Sequence, residues 1–138
     1  IDFNYENDFT LTNENQTANW INQVISSENK TEGDISIVFC DDDYLLQINQ
    51  KFLNHDTYTD IISFDYTLGN LISGDIFIST ERVLANSIEF QTTFENEINR
   101  VIIHGILHYC GYKDKTESDS AEMRAKENEK LNMFHVEL

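Results

Sequence analysis

The residues best suited to chemistry are His104, His108 and Asp114, gathered in the stretch Arg100 to Lys115, RVIIHGILHYCGYKDK. Two histidines four positions apart on a helix stand on one face, about one turn from each other. Gly111 tolerates the left-handed backbone that ends helices. The chain can turn back there and carry Asp114 round to the histidines. Two imidazoles and one carboxylate make a three-ligand metal site, and three protein ligands leave a fourth position for water. That is the catalytic pattern for zinc, not the structural one. Zinc held this way brings the pKa of its water toward ~7 and polarises a phosphoryl or carbonyl oxygen, both of which suit hydrolysis.

A His-x3-His pair alone is a weak signal, because most such pairs are satisfied core or surface histidines. The flanks strengthen it: Val101, Ile102, Ile103, Ile106, Leu107 and Tyr109 are apolar or aromatic. A helix apolar on nearly every side is buried, and buried imidazoles need partners for their ring nitrogens. One metal ion answers both. Cys110 follows His108 by two positions, roughly 200° round a helix, so it reads as a buried thiol and not a ligand. His55, in a polar loop, and His135, in an expected tail after the last helix, are the alternative third ligands.

The stretch HGILHYCGYKD resembles the signature of the YbeY family, bacterial metal-dependent endoribonucleases of rRNA maturation. The family pattern is His-Gly-x-Leu-His-Leu-x-Gly-Tyr-Asp-His, and His104, Gly105, Leu107, His108, Gly111 and Tyr112 match it. The family's third histidine ligand falls at Asp114, and its preceding aspartate at Lys113. Thr59-Asp60-Ile61-Ile62-Ser63-Phe64 is similar to the family's Thr-Asp-Val-Leu-Ser-Phe, and Gly74-Asp75-Ile76 to its Gly-Asp-Ile. The resemblance implies one metal-binding domain over residues 1–138 and one Zn2+ per chain. It implies a single-strand-specific endoribonuclease of rRNA maturation and ribosome quality control. Its partners would be rRNA and the small ribosomal subunit, with no DNA and no membrane. The same donor set also accepts nickel, cobalt or iron.

The departures from the family have consequences. A carboxylate ligand leaves the site with a net charge of about +1, so bound water is less acidified than with three histidines. A family arginine that contacts RNA falls at Leu53; Lys51 is the nearest substitute. Tyr58 stands where a proline commonly precedes the Thr-Asp segment. Gly105 occupies the place of the glutamate in His-Glu-x-x-His, so a peptidase would lack its general base. The expected substrate-binding groups are Arg100, one turn before His104, and Lys113 and Lys115, which flank Asp114. Ser63 and Asp75 are expected to support the sheet edge near the site, with Asp75 orienting a ligand histidine. Two other readings stay open: a non-catalytic ribosome-assembly or RNA-binding factor with a structural metal, and a zinc hydrolase of an amide or other small substrate.

Charge constrains the RNA reading. The 138 residues carry 25 Asp and Glu against 9 Lys and Arg, a net charge of -16. Phosphate-binding proteins usually present a basic patch, so any positive region here must be local. A screening length of ~8 Å at physiological salt lets a local rim act despite distant acids. Cys40 and Cys110 make no disulfide framework. No run approaches the ~20 apolar residues of a membrane span, and no charged-then-apolar leader opens the chain. The cytoplasm is the expected compartment.

The elements that must position these groups follow from periodicity. Ile1, Phe3 and Tyr5 alternate as a half-buried strand, and Trp20, Ile21, Val24 and Ile25 recur at helical spacing up to a break at Gly33. Ile35 to Cys40 reads as a buried strand, and Asp41 to Asp43 as the cap and first turn of a helix bearing Leu45, Ile48, Asn49 and Phe52. Ile62, Phe64 and Tyr66, then Leu71 to Ser79, form an antiparallel hairpin turning at Gly69-Asn70. Gly74 within it marks a bulge or a close backbone approach. Ser79 or Thr80 caps a helix with Val83, Leu84, Ser87 and Ile88 inward. Thr92-x-x-Glu95 opens the histidine helix as a capping box, and Thr116-x-x-Asp119 opens a last helix with Ala121, Ala125, Asn128 and Leu131 inward. The reading is an α+β fold: a small mixed sheet of about four strands, covered by about five helices, with the metal helix central.

Overall fold

A computed structural model describes residues 1–55 and 57–136, and side chains as far as Phe134. The order is β1 (Asp2–Tyr5), α1 (Glu14–Ser27), β2 (Thr31–Cys40), α2 (Asp42–Leu53), β3 (Ile61–Asp65), β4 (Leu71–Ser79), α3 (Thr80–Glu89), α4 (Phe94–Tyr109) and α5 (Glu117–Val136). The strands form one mixed sheet in the order β1-β2-β4-β3. β1 and β2 are parallel, as a strand–helix–strand unit requires, and β2 is parallel to β4. β3 and β4 form the antiparallel hairpin, with Ile62 opposite Phe77 and Ser63 opposite Ile76. The α+β expectation, with its element order, holds.

Strand alternation divides the core. Ile72, Gly74, Ile76 and Ile78 of β4 are buried, and the three isoleucines pack in the larger cluster with Trp20 and Ile21 of α1 and with Ile102, Ile103 and Ile106 of α4. The opposite face carries Phe77, which joins Cys40, Leu45 and Ile62 in a smaller cluster under α2. α4 is therefore central. Gly105 brings it close: a Cβ there would sit 3.0 Å from Ile61 Cδ1 and 3.1 Å from Ile76 Cδ1. The residue that replaces the peptidase glutamate thus faces the sheet, where no carboxylate would reach a metal.

Gly74 is a point of close approach, and the register change in β2 lies across from it. A Cβ on Gly74 would meet Phe64 O at 2.5 Å and the Tyr109 hydroxyl at 2.6 Å. Tyr109 lies over this gap and donates its hydroxyl to the carbonyls of Phe64 and Asp75 at 3.0 and 3.1 Å. The C-terminal turn of α4 is thereby fixed to the hairpin.

Several local expectations shift. Gly33 does not end α1; the turn is made at Asn29, with φ +60°, and Gly33 lies within β2 where the pairing with β4 changes register. α4 is capped by Thr93, whose side chain accepts from Asn96 N, one residue beyond the expected Thr92. Asp41 and Ser79 cap α2 and α3 as expected. On α2, Leu45 and Asn49 are buried but Phe52 is exposed, its ring in edge contact with Phe64 on β3 at 5.9 Å between centroids. On α3, Thr80, Val83 and Ser87 are buried while Leu84 and Ile88 are exposed, because α4 covers only one side of this helix. On α5, Leu131 is buried as expected, but Ala121, Ala125 and Asn128 are exposed. Met123, Glu127 and Lys130 take their places. α5 continues through Val136, so His135 lies in the helix and not in a tail; its side chain is outside the described residues.

Candidate metal centre and cleft

α4 delivers His104 and His108 on one stripe, both half-buried at the rim of an otherwise covered helix. The helix ends at Cys110, and Gly111 follows with φ +109°, a left-handed conformation that favours glycine. The reversal places Asp114 Oδ2 3.4 Å from His104 Nε2 and 3.3 Å from His108 Nε2. The two Nε2 atoms are 3.0 Å apart. Among the described residues this is the one group of three acidic, histidine or cysteine side chains whose ligand atoms converge. His55 is exposed and outside it, as is the half-buried Cys110, whose thiol burial pushes up to about 11.

Each imidazole is held through its other nitrogen. His108 Nδ1 lies 2.9 Å from Tyr112 O, a partner that only accepts, so Nδ1 carries the proton and Nε2 a lone pair. His104 Nδ1 lies 2.7 Å from Glu127 Oε2, which fixes its proton in the same way. Two Nε2 atoms 3.0 Å apart then need a proton or a cation between them. Burial opposes protonation of His104, but the hydrogen bond to Glu127 and the charges of Glu127, Asp114 and Asp60 prevail and raise it above the ordinary imidazole value. The seat attracts positive charge. Its three spacings of 3.0–3.4 Å are also close to the ~3.3 Å edge of a tetrahedron with metal–ligand bonds of about 2.0–2.1 Å. The donor set fits a metal ion.

Glu127 is the residue that sequence reasoning missed. It is buried, bonded to His104 and to Arg100 Nη1 at 3.0 Å. Burial would raise its carboxyl, but the bonds from His104 and Arg100 outweigh that and hold it below the usual range. A signal was present: Met123, Glu127, Lys130, Leu131 and Phe134 share one helical stripe, and three of the five are apolar. Asp75, expected in this role, sits on β4 between Gly74 and Ile76, so its side chain leaves the sheet on the face away from α4. Ser63 stands beside the Tyr109 hydroxyl and supports the hairpin contact.

A cleft of about 410 Å³ opens beside the triad, between α4, α5 and the start of β3. His104, Asp114, Arg100 and Glu127 line it, with Asp60 and Glu97 at its walls. Burial raises the carboxyls of both Asp60 and Glu97. Arg100, an expected substrate group, is in the cleft but already engaged by Glu127 and by Asn128 Oδ1 at 2.9 Å. Lys113 and Lys115 are exposed beside Asp114 and do not line the cleft. Leu53 and Lys51 lie at the exposed end of α2 and do not line it either.

Comparison with known proteins places this geometry. The model of the family described as endoribonuclease YbeY matches residues 2–135. The chain belongs to the YbeY family. An endoribonuclease YbeY of Flavobacterium psychrophilum is 60% identical over 136 residues, covering 99% of this chain and 97% of the relative. Its counterpart in Flavobacterium johnsoniae is 61% identical over 137 residues, covering 99% of each. Among solved structures, a Thermotoga maritima protein studied in solution superposes with a TM-score of 0.70 at 23% identity, over 99% of this chain and 91% of that one. That last likeness concerns the YbeY fold alone. No helix among the described residues is long and apolar enough to cross a membrane.

Proposed function

We propose that this chain is a metal-dependent, single-strand-specific endoribonuclease acting in rRNA maturation and ribosome quality control. The observation that carries the reading is the convergence of His104 Nε2, His108 Nε2 and Asp114 Oδ2 at the mouth of a cleft, in a chain of the YbeY family. His104, His108 and Asp114 hold the metal, and zinc suits two imidazoles and a carboxylate best. When bound, it supplies a Lewis acid for a phosphoryl oxygen and an acidified water. Glu127 keeps His104 oriented, and Tyr112 O does the same for His108. Arg100 faces the substrate from within the cleft, and Lys113 and Lys115 supply positive charge beside Asp114. Local charge of this kind is what an acidic protein needs to approach RNA. The partners are rRNA and the small ribosomal subunit, and the compartment is the cytoplasm.

The test is cleavage of a single-stranded rRNA fragment by zinc-loaded protein, beside a His104→Ala variant purified identically. Cleavage by the parent alone supports the nuclease. Equal cleavage by both indicates a contaminant. No cleavage by either favours an assembly factor with a structural metal, a reading that the exposed Leu53 at the family's arginine position supports.

A further inference from the structure

We propose that the far end of the cleft is a nucleobase subsite that selects guanine through the Glu97 carboxylate, beside the phosphate held at the triad. The proposal rests on the endoribonuclease reading and adds a base specificity to it. Glu97, Arg100, His104 and His108 share one stripe of α4. Glu97 precedes His104 by two helical turns, or ~10 Å along the axis at 1.5 Å per residue. That is about the reach from a phosphate to the far edge of a neighbouring purine.

Three features say what fits there. First, Glu97 is 6% exposed, lines the cleft, and has no hydrogen-bond or ion-pair partner for its carboxylate among the described residues. Its oxygens are not sealed in the core but open to the cleft, so a donor-bearing ligand there can reach an acceptor that no group among the described residues occupies. Second, the walls combine Ile61, Val101 and Met123 with Phe90, an aromatic ring 59% exposed at the cleft edge. An apolar slot with an exposed ring suits a flat heteroaromatic body, because every base presents a π-face for stacking. Third, Asp60 joins Glu97 and Glu127 in the same cleft. With Asp114, these carboxylates outnumber the guanidiniums of Arg100 and Arg124 in the lining, so the cleft around Glu97 favours a neutral group that donates over a second phosphate. A carboxylate accepting from two adjacent N–H groups matches the N1–H and N2–H of guanine. Uracil, adenine and cytosine offer no such adjacent pair on two ring positions. Asn86, also in the lining, donates Nδ2 to Asp60 Oδ2 at 3.5 Å and has a second amide hydrogen for the remaining edge.

The experiment measures binding and so is independent of turnover. Zinc-loaded protein is titrated with short single-stranded 2′-O-methyl oligonucleotides that differ at one position: guanine, inosine, adenine, cytosine or uracil. Inosine lacks only the N2 amine. The expected result is binding of the guanine oligonucleotide about tenfold tighter than inosine, in the range for loss of a bidentate contact. Glu97→Gln, its fold checked by circular dichroism and melting, should reduce that ratio to about threefold or less. Phe90→Ala should weaken all five oligonucleotides alike. Equal affinities in the parent protein, preference for another base, or a guanine preference that survives Glu97→Gln would overturn the subsite. If Glu97→Gln does not fold, the guanine–inosine ratio of the parent decides. Guanine-selective binding here, together with no cleavage of the unmodified rRNA fragment, would keep the subsite and remove the nuclease.

Discussion

Glu127 lies 23 residues beyond His104 in the chain, yet its Oε2 sits 2.7 Å from His104 Nδ1. One hydrogen bond thus joins the middle of α5 to the metal helix and sets which nitrogen of His104 is free. Glu127→Gln keeps the volume but removes the carboxylate. It is expected to weaken zinc binding by about 10- to 100-fold, the usual cost of losing a partner behind a metal ligand. Competition with a chromophoric chelator measures it. Glu127→Gln with parental zinc affinity would leave the orientation of His104 to packing alone.

Asp114 is the exposed member of the triad and comes from the loop after α4. Asp114→Ala should lower bound zinc from about one per chain to a small fraction after dialysis, read by elemental analysis. Asp114→His restores the family's usual ligand type and should retain zinc. Unchanged stoichiometry in Asp114→Ala would remove it from the ligand set.

The Tyr109–Gly74 contact locks α4 to the hairpin. Gly74→Ala forces a Cβ to within 2.5 Å of Phe64 O, which cannot move without breaking the β3–β4 pairing. It should cost about 2–3 kcal/mol, the range for overpacking a filled site. Tyr109→Phe leaves two carbonyls without their hydroxyl donor and should cost about 1–2 kcal/mol. Denaturant melts of zinc-free protein give both values. A Gly74→Ala protein as stable as the parent would contradict the close approach.

A polar cluster ties α1 to α5. Glu28 accepts from Tyr112 Oη at 2.5 Å and pairs with Lys130 Nζ at 2.9 Å, while Trp20 Nε1 donates to Lys130 O at 2.7 Å. Burial raises the Glu28 carboxyl, but Tyr112, Lys130 and Lys126 overcome that and hold it below its ordinary value. A carboxyl depressed in the folded state contributes stability above its unfolded pKa. That contribution is lost as pH falls through the folded pKa. Stability should therefore decline below about pH 4.5 with a component that Glu28→Gln removes. Melting temperatures at pH 3.5, 4.5 and 7 test it; identical acid slopes in the two proteins would exclude Glu28 as a source.

Much of the site was legible because its ligands are close in sequence. His104 and His108 are one helical turn apart, and Gly111 marks the reversal to Asp114; both depend on local backbone rules. The nine elements of the described residues were legible for the same reason, since periods of 2 and 3.6 record which face is buried. Caps were legible to within a residue, as at Thr93. What local pattern could not supply was the partner of each face. The inward stripe of α5 carries Glu127 and Lys130, two charged residues that periodicity assigns to solvent. They are buried because α5 crosses α4 and α1, where His104, Arg100 and Glu28 neutralise them. In the same way Glu97, an ordinary charged residue in sequence, and Asp60, known only as part of the Thr-Asp segment, share a cleft only after the hairpin and α4 have met. The sequence by itself determined which atoms could ligate a metal. The tertiary structure alone decided which nitrogen of His104 faces it, because a long-range carboxylate, and no neighbour in the chain, holds the other one.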